Sequence, residues 1–156
     1  MSDSIQRQFI ASSPEATERL GEQIGARLRG GEVIELVSDL GGGKTTFTRG
    51  LARGAGSRDH VSSPTFTISQ EYAAGAFTLY HFDFYRLSEA GIMADELAEV
   101  AGKLDAVVIV EWGDIARHVL PEASLTIEIQ PTSESGRTLT FTYPPELVYL
   151  IPEETA

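Results

Sequence analysis

Lys44 and Thr45 close a glycine run, Ser38-Asp39-Leu40-Gly41-Gly42-Gly43-Lys44-Thr45. The run follows an apolar stretch, Val33 to Val37, and precedes a helical one, Thr46 to Ala55. Each residue type has a use beside a phosphate. Glycines let successive backbone N–H groups turn inward around phosphate oxygens without interference from a Cβ. A helix start adds free N–H donors and partial positive charge. Lys44 supplies a point charge for the β- and γ-phosphates, and the Thr45 hydroxyl is a ligand for Mg²⁺. Strand, turn, lysine, hydroxyl and helix occur in the order of a Walker A phosphate loop, with Ser38 where the first glycine is expected. The bland alternative, a glycine-rich turn that binds nothing, does not account for that order.

A phosphate loop needs a Mg²⁺ partner at the end of a neighbouring buried strand. Val107 to Val110 followed by Glu111 has that form, and its carboxylate would emerge at the same sheet edge. Trp112 beside it would wall the site or simply join the core. Between these halves lies His81-Phe82-Asp83-Phe84-Tyr85-Arg86. In a strand His81, Asp83 and Tyr85 share one face, with Phe82 and Phe84 pointing to the core. Asp83 is the member suited to orienting an attacking water or a water bound to Mg²⁺. His81 and Tyr85 fit either a switch role or plain packing, His81 as a satisfied, partly buried histidine. Ser63-Pro64-Thr65-Phe66 follows the phosphate-loop helix, where many NTPases carry a segment sensing the γ-phosphate, so Thr65 is a further switch candidate.

The elements that must hold these residues alternate, which points to a single α/β domain over residues 1–156, with ends 1–4 and 152–156 frayed. Ile5 to Ala11 reads as a strand. Ser13-Pro14 starts a helix carrying Ala16, Leu20, Ile24 and Leu28 at helical spacing, ended by Gly30-Gly31. Phe66 to Tyr72 and Phe77 to Phe82 predict a β-hairpin, Ser88 to Lys103 one or two short helices, and Leu125 to Gln130 with Thr138 to Tyr143 a final antiparallel pair. A chain of 156 residues buries enough surface to fold unaided. The absence of cysteine excludes a disulfide scaffold, a thiol nucleophile and a zinc ribbon. No stretch has the length of a membrane span and the start lacks a signal-peptide pattern, so a cytoplasmic protein without membrane contact is expected. Twelve Lys and Arg against 23 Asp and Glu give a net charge of −11, which argues against direct DNA or RNA binding driven by counterion release. Only two of the basic residues are lysines, and one of them is Lys44.

Together these motifs resemble the TsaE (YjeE-type) family, small P-loop ATPases of bacterial tRNA threonylcarbamoyladenosine biosynthesis. The family's G-D-L-G-A-G-K-T-T appears as Ser38 to Thr46, its S-P-T-[FY] as Ser63 to Phe66, its H-x-D-x-Y-R-L as His81 to Leu87, and its strand with E-W as Val107 to Trp112. Thr17, Leu20 and Gly21 match its opening helix, so the resemblance runs from Pro14 to Phe141. It implies a P-loop NTPase fold with a mixed central sheet flanked by helices. It implies ATP and Mg²⁺, with ATP against Asp39, Leu40, Gly41, Gly42, Gly43, Lys44, Thr45 and Thr46. The metal would meet Thr45 and Glu111, Asp83 and Lys44 would be needed for catalysis, and Thr17 and Arg137 would lie near the nucleotide. It further implies weak hydrolysis alone, support for turnover of a TsaD–TsaB complex, and tRNA reached only through such partners. The alternatives are a small P-loop kinase, a nucleotide-dependent switch, or a binding module without activity. A kinase lid would show several arginines between Ser88 and Arg137, and a guanine switch would show N-K-x-D; neither pattern is present.

Overall fold

The computed structural model describes residues 4–38, 43–59, 61, 69–83, 92–111, 120–121 and 123–153. Asp39, Leu40, Gly41, Gly42, Thr65, Tyr85 and Trp112 lie outside the described residues. Seven strands form one mixed sheet: β1 (Ile5–Ala11), β2 (Val33–Val37), β3 (Ser69–Ala73), β4 (Thr78–Asp83), β5 (Ala106–Glu111), β6 (Leu125–Pro131) and β7 (Arg137–Tyr143). Their order across the sheet is β1-β7-β6-β2-β5-β4-β3. The middle four, β6, β2, β5 and β4, run parallel, while β3, β7 and β1 add antiparallel edges. Among the described residues the helices are α1 (Pro14–Gly25), α2 (Lys44–Gly54) and α3 (Ile92–Val100), and a 3-10 helix spans Pro145–Leu150.

Strand chemistry explains which part of the sheet is covered. β5, Ala-Val-Val-Ile-Val-Glu, is buried along its whole length, as a strand enclosed on both faces must be. One face of the sheet packs Ile34, Leu36, Ile109 and Ile127 against Leu20 and Ile24 of α1 and Phe47 and Leu51 of α2. The other packs Val33, Val108, Val110 and Phe82 against Leu97 of α3. Towards β1 the second face turns polar, with Thr126, Thr138, Thr140 and Thr142 half-buried and Gln8 and Glu128 exposed. That alternation suits antiparallel strands with one face toward solvent.

The α1 start agrees with the sequence reading: Ser13 Oγ accepts from the Ala16 N–H at 3.1 Å and Pro14 occupies the first turn. Its end does not. The helix stops at Gly25, and Gly30-Gly31 instead make a positive-φ turn into β2. A glycine seam accounts for the position of α1. A Cβ on Gly21 or Gly25 would stand 2.3 and 2.1 Å from the Phe47 and Leu51 carbonyl oxygens of α2. A Cβ on Gly50 or Gly54 would stand 1.9 and 2.0 Å from those of Glu18 and Glu22 of α1. Each helix therefore offers a pair of glycines four residues apart, and the backbones touch. This contact fixes the start of α1 beside the start of α2.

β3 and β4 form a hairpin, with residues 66–68 of the first expected strand outside the described residues, and β6 and β7 form the expected antiparallel pair. The expected fraying at the carboxyl end needs correction at Pro152 and Glu153. Pro152 is buried, and the Arg7 guanidinium donates to the carbonyls of Pro152 and Glu153 at 3.1 and 3.0 Å. Among the described residues no helix is long and apolar enough to cross a membrane.

Candidate nucleotide site

The carboxyl ends of the parallel strands meet at one edge, the usual place for a ligand on such a sheet. β2 leaves there toward α2, β4 ends at Asp83 and β5 ends at Glu111, with Asp83 and Glu111 paired in register. The antiparallel strands deliver more residues to the same edge. β6 ends and β7 begins there at Pro131 and Arg137, and Ala11, at the end of β1, lies opposite Arg137. The chain then enters α1 at Pro14. The result is a cavity of about 250 Å³ lined from five directions. Pro14 and Thr17 come from α1, and Gly43 to Thr46 from the start of α2. Asp83 and Glu111 close two strands, and Ser135 and Arg137 flank the β6–β7 turn.

Gly43 stands at the α2 N-cap with φ 105°, a conformation open to glycine and strained for a side chain. Its carbonyl accepts the Phe47 N–H at 2.9 Å, so helical bonding is in place one turn into α2. The helix begins at Lys44, two residues before the expected Thr46. Lys44 is buried, with Nζ 3.3 Å from the Ser38 carbonyl oxygen and 3.4 Å from Glu111 Oε1. The residue replacing the first loop glycine thus meets the lysine through its backbone, a contact that any side chain at that position permits.

Glu111 is also buried, and its Oε2 lies 2.5 Å from His81 Nε2. Burial alone pushes its carboxyl up. The hydrogen bond and charge of His81, then the charge of Lys44, outweigh that and hold it below the ordinary carboxylate value. Glu111 is therefore ionised at neutral pH. His81 departs from the expected satisfied, partly buried histidine. It is fully enclosed, and its Nδ1 has no partner among the described residues.

The buried Thr17 Oγ1 has no hydrogen-bond partner among the described residues either, although it sits at the cavity. A buried hydroxyl without a partner costs about 1–3 kcal/mol, so a polar ligand would relieve it. Arg137 leans over the turn, donating to the Gly136 carbonyl at 2.8 Å. A Cβ added at Gly43 would come within 3.7 Å of Arg137 Nε, which shows how close the turn lies to the loop. The donor set fits a nucleoside triphosphate with a divalent cation. Gly43 at a helix start, an ammonium and a guanidinium suit phosphates, while a hydroxyl and an ionised carboxylate are hard oxygen ligands of the kind Mg²⁺ takes. Lys44, Thr45, Thr46, Asp83, Glu111, Thr17 and Arg137 are thus brought together, and His81 joins them from behind through Glu111. Pro14 was read only as a helix start and Ser135 was not singled out, neither having a phosphate-binding motif of its own. The glycine seam that holds Thr17 in place was missed too, although its four-residue spacing stands in the sequence.

Residues 11–139 match the family model for TsaE, described as threonylcarbamoyl adenosine biosynthesis protein TsaE. A tRNA threonylcarbamoyladenosine biosynthesis protein TsaE of Bacillus subtilis is 39% identical over 132 residues, covering 83% of this chain and 81% of that protein. The protein of the same name from Treponema pallidum is 36% identical over 131 residues, covering 84% and 96%. Among solved structures, a crystal structure of Bacillus subtilis YdiB superposes with a TM-score of 0.75 at 34% identity, over 94% of this chain and 90% of that one.

Proposed function

Since the chain belongs to the TsaE family, we propose that it is a Mg²⁺-dependent ATPase of tRNA threonylcarbamoyladenosine biosynthesis. Its intrinsic activity is low, and it supports turnover of a TsaD–TsaB-type complex that holds the tRNA. The observation that carries the ATPase half is the convergence of Lys44, Thr45, Asp83 and Glu111 on one cavity, beside a buried Thr17 hydroxyl that has no partner among the described residues. The pathway half is supported by the names that the relatives carry.

In this reading Lys44 exchanges its contacts with Ser38 and Glu111 for phosphate oxygens, and Gly43 lets the backbone approach them. Thr17 and Arg137 hold the nucleotide from the side of α1 and the β6–β7 turn. Thr45 and Glu111 would hold the metal, which when bound would offset phosphate charge. Asp83, in register with Glu111, orients the attacking water and takes its proton. The acidic surface, net −11, fits a protein that acts on tRNA through others, in the cytoplasm and away from membranes.

The test is the ATPase rate of the chain alone and with a TsaD–TsaB-type complex, for wild type and Asp83→Ala. Stimulation by the complex is expected, with hydrolysis in the variant down by about a hundredfold and nucleotide affinity nearly kept. Equal rates with and without the complex would remove the partner half, and full activity in the variant would remove the role of Asp83.

A further inference from the structure

His81 is fully buried beside apolar neighbours in β4 and β5, yet among the described residues only one of its ring nitrogens has a partner. A position needed just for packing would be better filled by an apolar side chain, because the unused Nδ1 is a buried polar atom without compensation. What the imidazole gains is the 2.5 Å bond to Glu111 Oε2. An ionised carboxylate has no proton to give, so Nε2 carries the hydrogen and donates it. That bond ties down Oε2 and leaves Oε1 as the oxygen facing Lys44. Register explains the reach. Asp83 pairs with Glu111 and His81 with Ile109, so His81 sits one pleat behind the strand ends, on the same face and beneath the carboxylate.

We infer that His81 is a positioning residue for Glu111: its Nε2–H holds the carboxylate in one orientation, so that a single oxygen is presented to a divalent cation at the nucleotide site. The inference rests on the metal-dependent reading above and adds to it the group behind the ligand. Outer groups of this kind fix ligand orientation in metal sites, and their loss typically weakens metal binding tenfold or more.

Glutamine and asparagine separate this role from mere polarity. The Gln amide nitrogen falls near the place of Nε2, whereas that of Asn falls near Nδ1 and cannot reach Glu111. Affinity for a fluorescent ADP derivative is measured on the full chain with excess EDTA and with Mg²⁺. In wild type, Mg²⁺ tightens binding. In His81→Asn that tightening falls about tenfold while affinity in EDTA is unchanged, and His81→Gln restores it. Undiminished tightening in His81→Asn, or equal loss in both variants, overturns the positioning role alone. A wild type that binds in EDTA but gains nothing from Mg²⁺ overturns this inference and the metal reading together. A wild type that binds no nucleotide overturns the ATPase reading itself.

Imidazole ¹⁵N NMR of the wild-type protein decides the geometry without relying on a variant that folds. Nε2 is expected to be protonated, its proton far downfield as in a short bond to a carboxylate. An unprotonated Nε2 overturns the proposal.

Discussion

Two glutamates are buried to nearly the same degree at opposite ends of the parallel strands, Glu32 at 4% exposure and Glu111 at 3%. Glu32 precedes β2 and is held by groups that cannot leave. The backbone N–H groups of Arg29 and Gly30 donate to it at 2.8 Å each, and the Tyr149 hydroxyl donates at 2.6 Å. The Arg29 guanidinium lies over the Tyr149 ring at 3.8 Å, closing the cluster. Glu111 ends β5 and among the described residues is held by side chains alone, one of them the lysine of the phosphate loop. Burial of a carboxylate therefore says little about function. The kind of partner says more: backbone donors make a clip, and a side-chain cation with another ligand to serve makes a site.

The strongest way to test that contrast is to remove the exchangeable partner. Lys44→Ala should weaken ATP binding by at least about a hundredfold, in line with about 3 kcal/mol for a lost charge-assisted contact. Glu111 keeps His81 and borders the cavity, so the variant should still fold. An unchanged affinity in a nucleotide titration would remove the phosphate-loop reading.

At the other end, Glu32→Ala strands two backbone donors and the Tyr149 hydroxyl. A loss of about 3 kcal/mol is expected, a fall in Tm of about 6–12 °C for a chain of this size. Nucleotide affinity at temperatures where the variant is folded should match wild type. If calorimetry shows an unchanged Tm, the cluster is not the clip described; if affinity drops with stability intact, the two ends are coupled and the contrast fails.

The two glutamates also differ in how far the sequence revealed them. Glu111, Lys44 and Asp83 were legible because each stands at the end of a strongly patterned apolar strand or in a loop whose chemistry is local. Thr17 and Arg137 were reached only through a family resemblance. What brings them together is the pairing of Ala11 with Arg137, a contact between distant parts of the chain that no local pattern encodes. The His81–Glu111 bond was hidden for the same reason, since it depends on the register of β4 against β5. Glu32 gave no signal, as its hydroxyl partner lies 117 residues away on a 3-10 helix that the sequence reading did not anticipate. The end of α1 was misread at Gly30-Gly31 because Leu28 keeps helical spacing in the sequence, while Arg27 and Leu28 already bond back three residues, to the carbonyls of Ile24 and Gly25, in tight turns.

The smallest effect separates the glutamates by pH. Glu111 has a folded pKa below its unfolded value, so its contribution is present above about pH 4.5 and is lost as the pH falls through the folded value. The Glu111→Gln protein should lack that part of the acid limb. Tyr149 behaves in the opposite sense. Burial, then the hydrogen bond to Glu32, pushes its hydroxyl up to about 12 from 10.0. A raised folded pKa gives stability that is complete below the unfolded value and disappears as the pH climbs through the folded one. Tyr149→Phe should therefore cost about 1.5 kcal/mol near neutrality, the low end for a bond to a charged acceptor at a half-buried site. Denaturant unfolding at pH 7 and at stepped values from 9 upward measures the gap between the two proteins. It should narrow between pH 10 and about 12, where wild type loses the proton that the bond requires. A gap that stays constant across that range would mean that Tyr149 stabilises through ring packing against Arg29, and that the Glu32 clip consists of its two backbone donors alone.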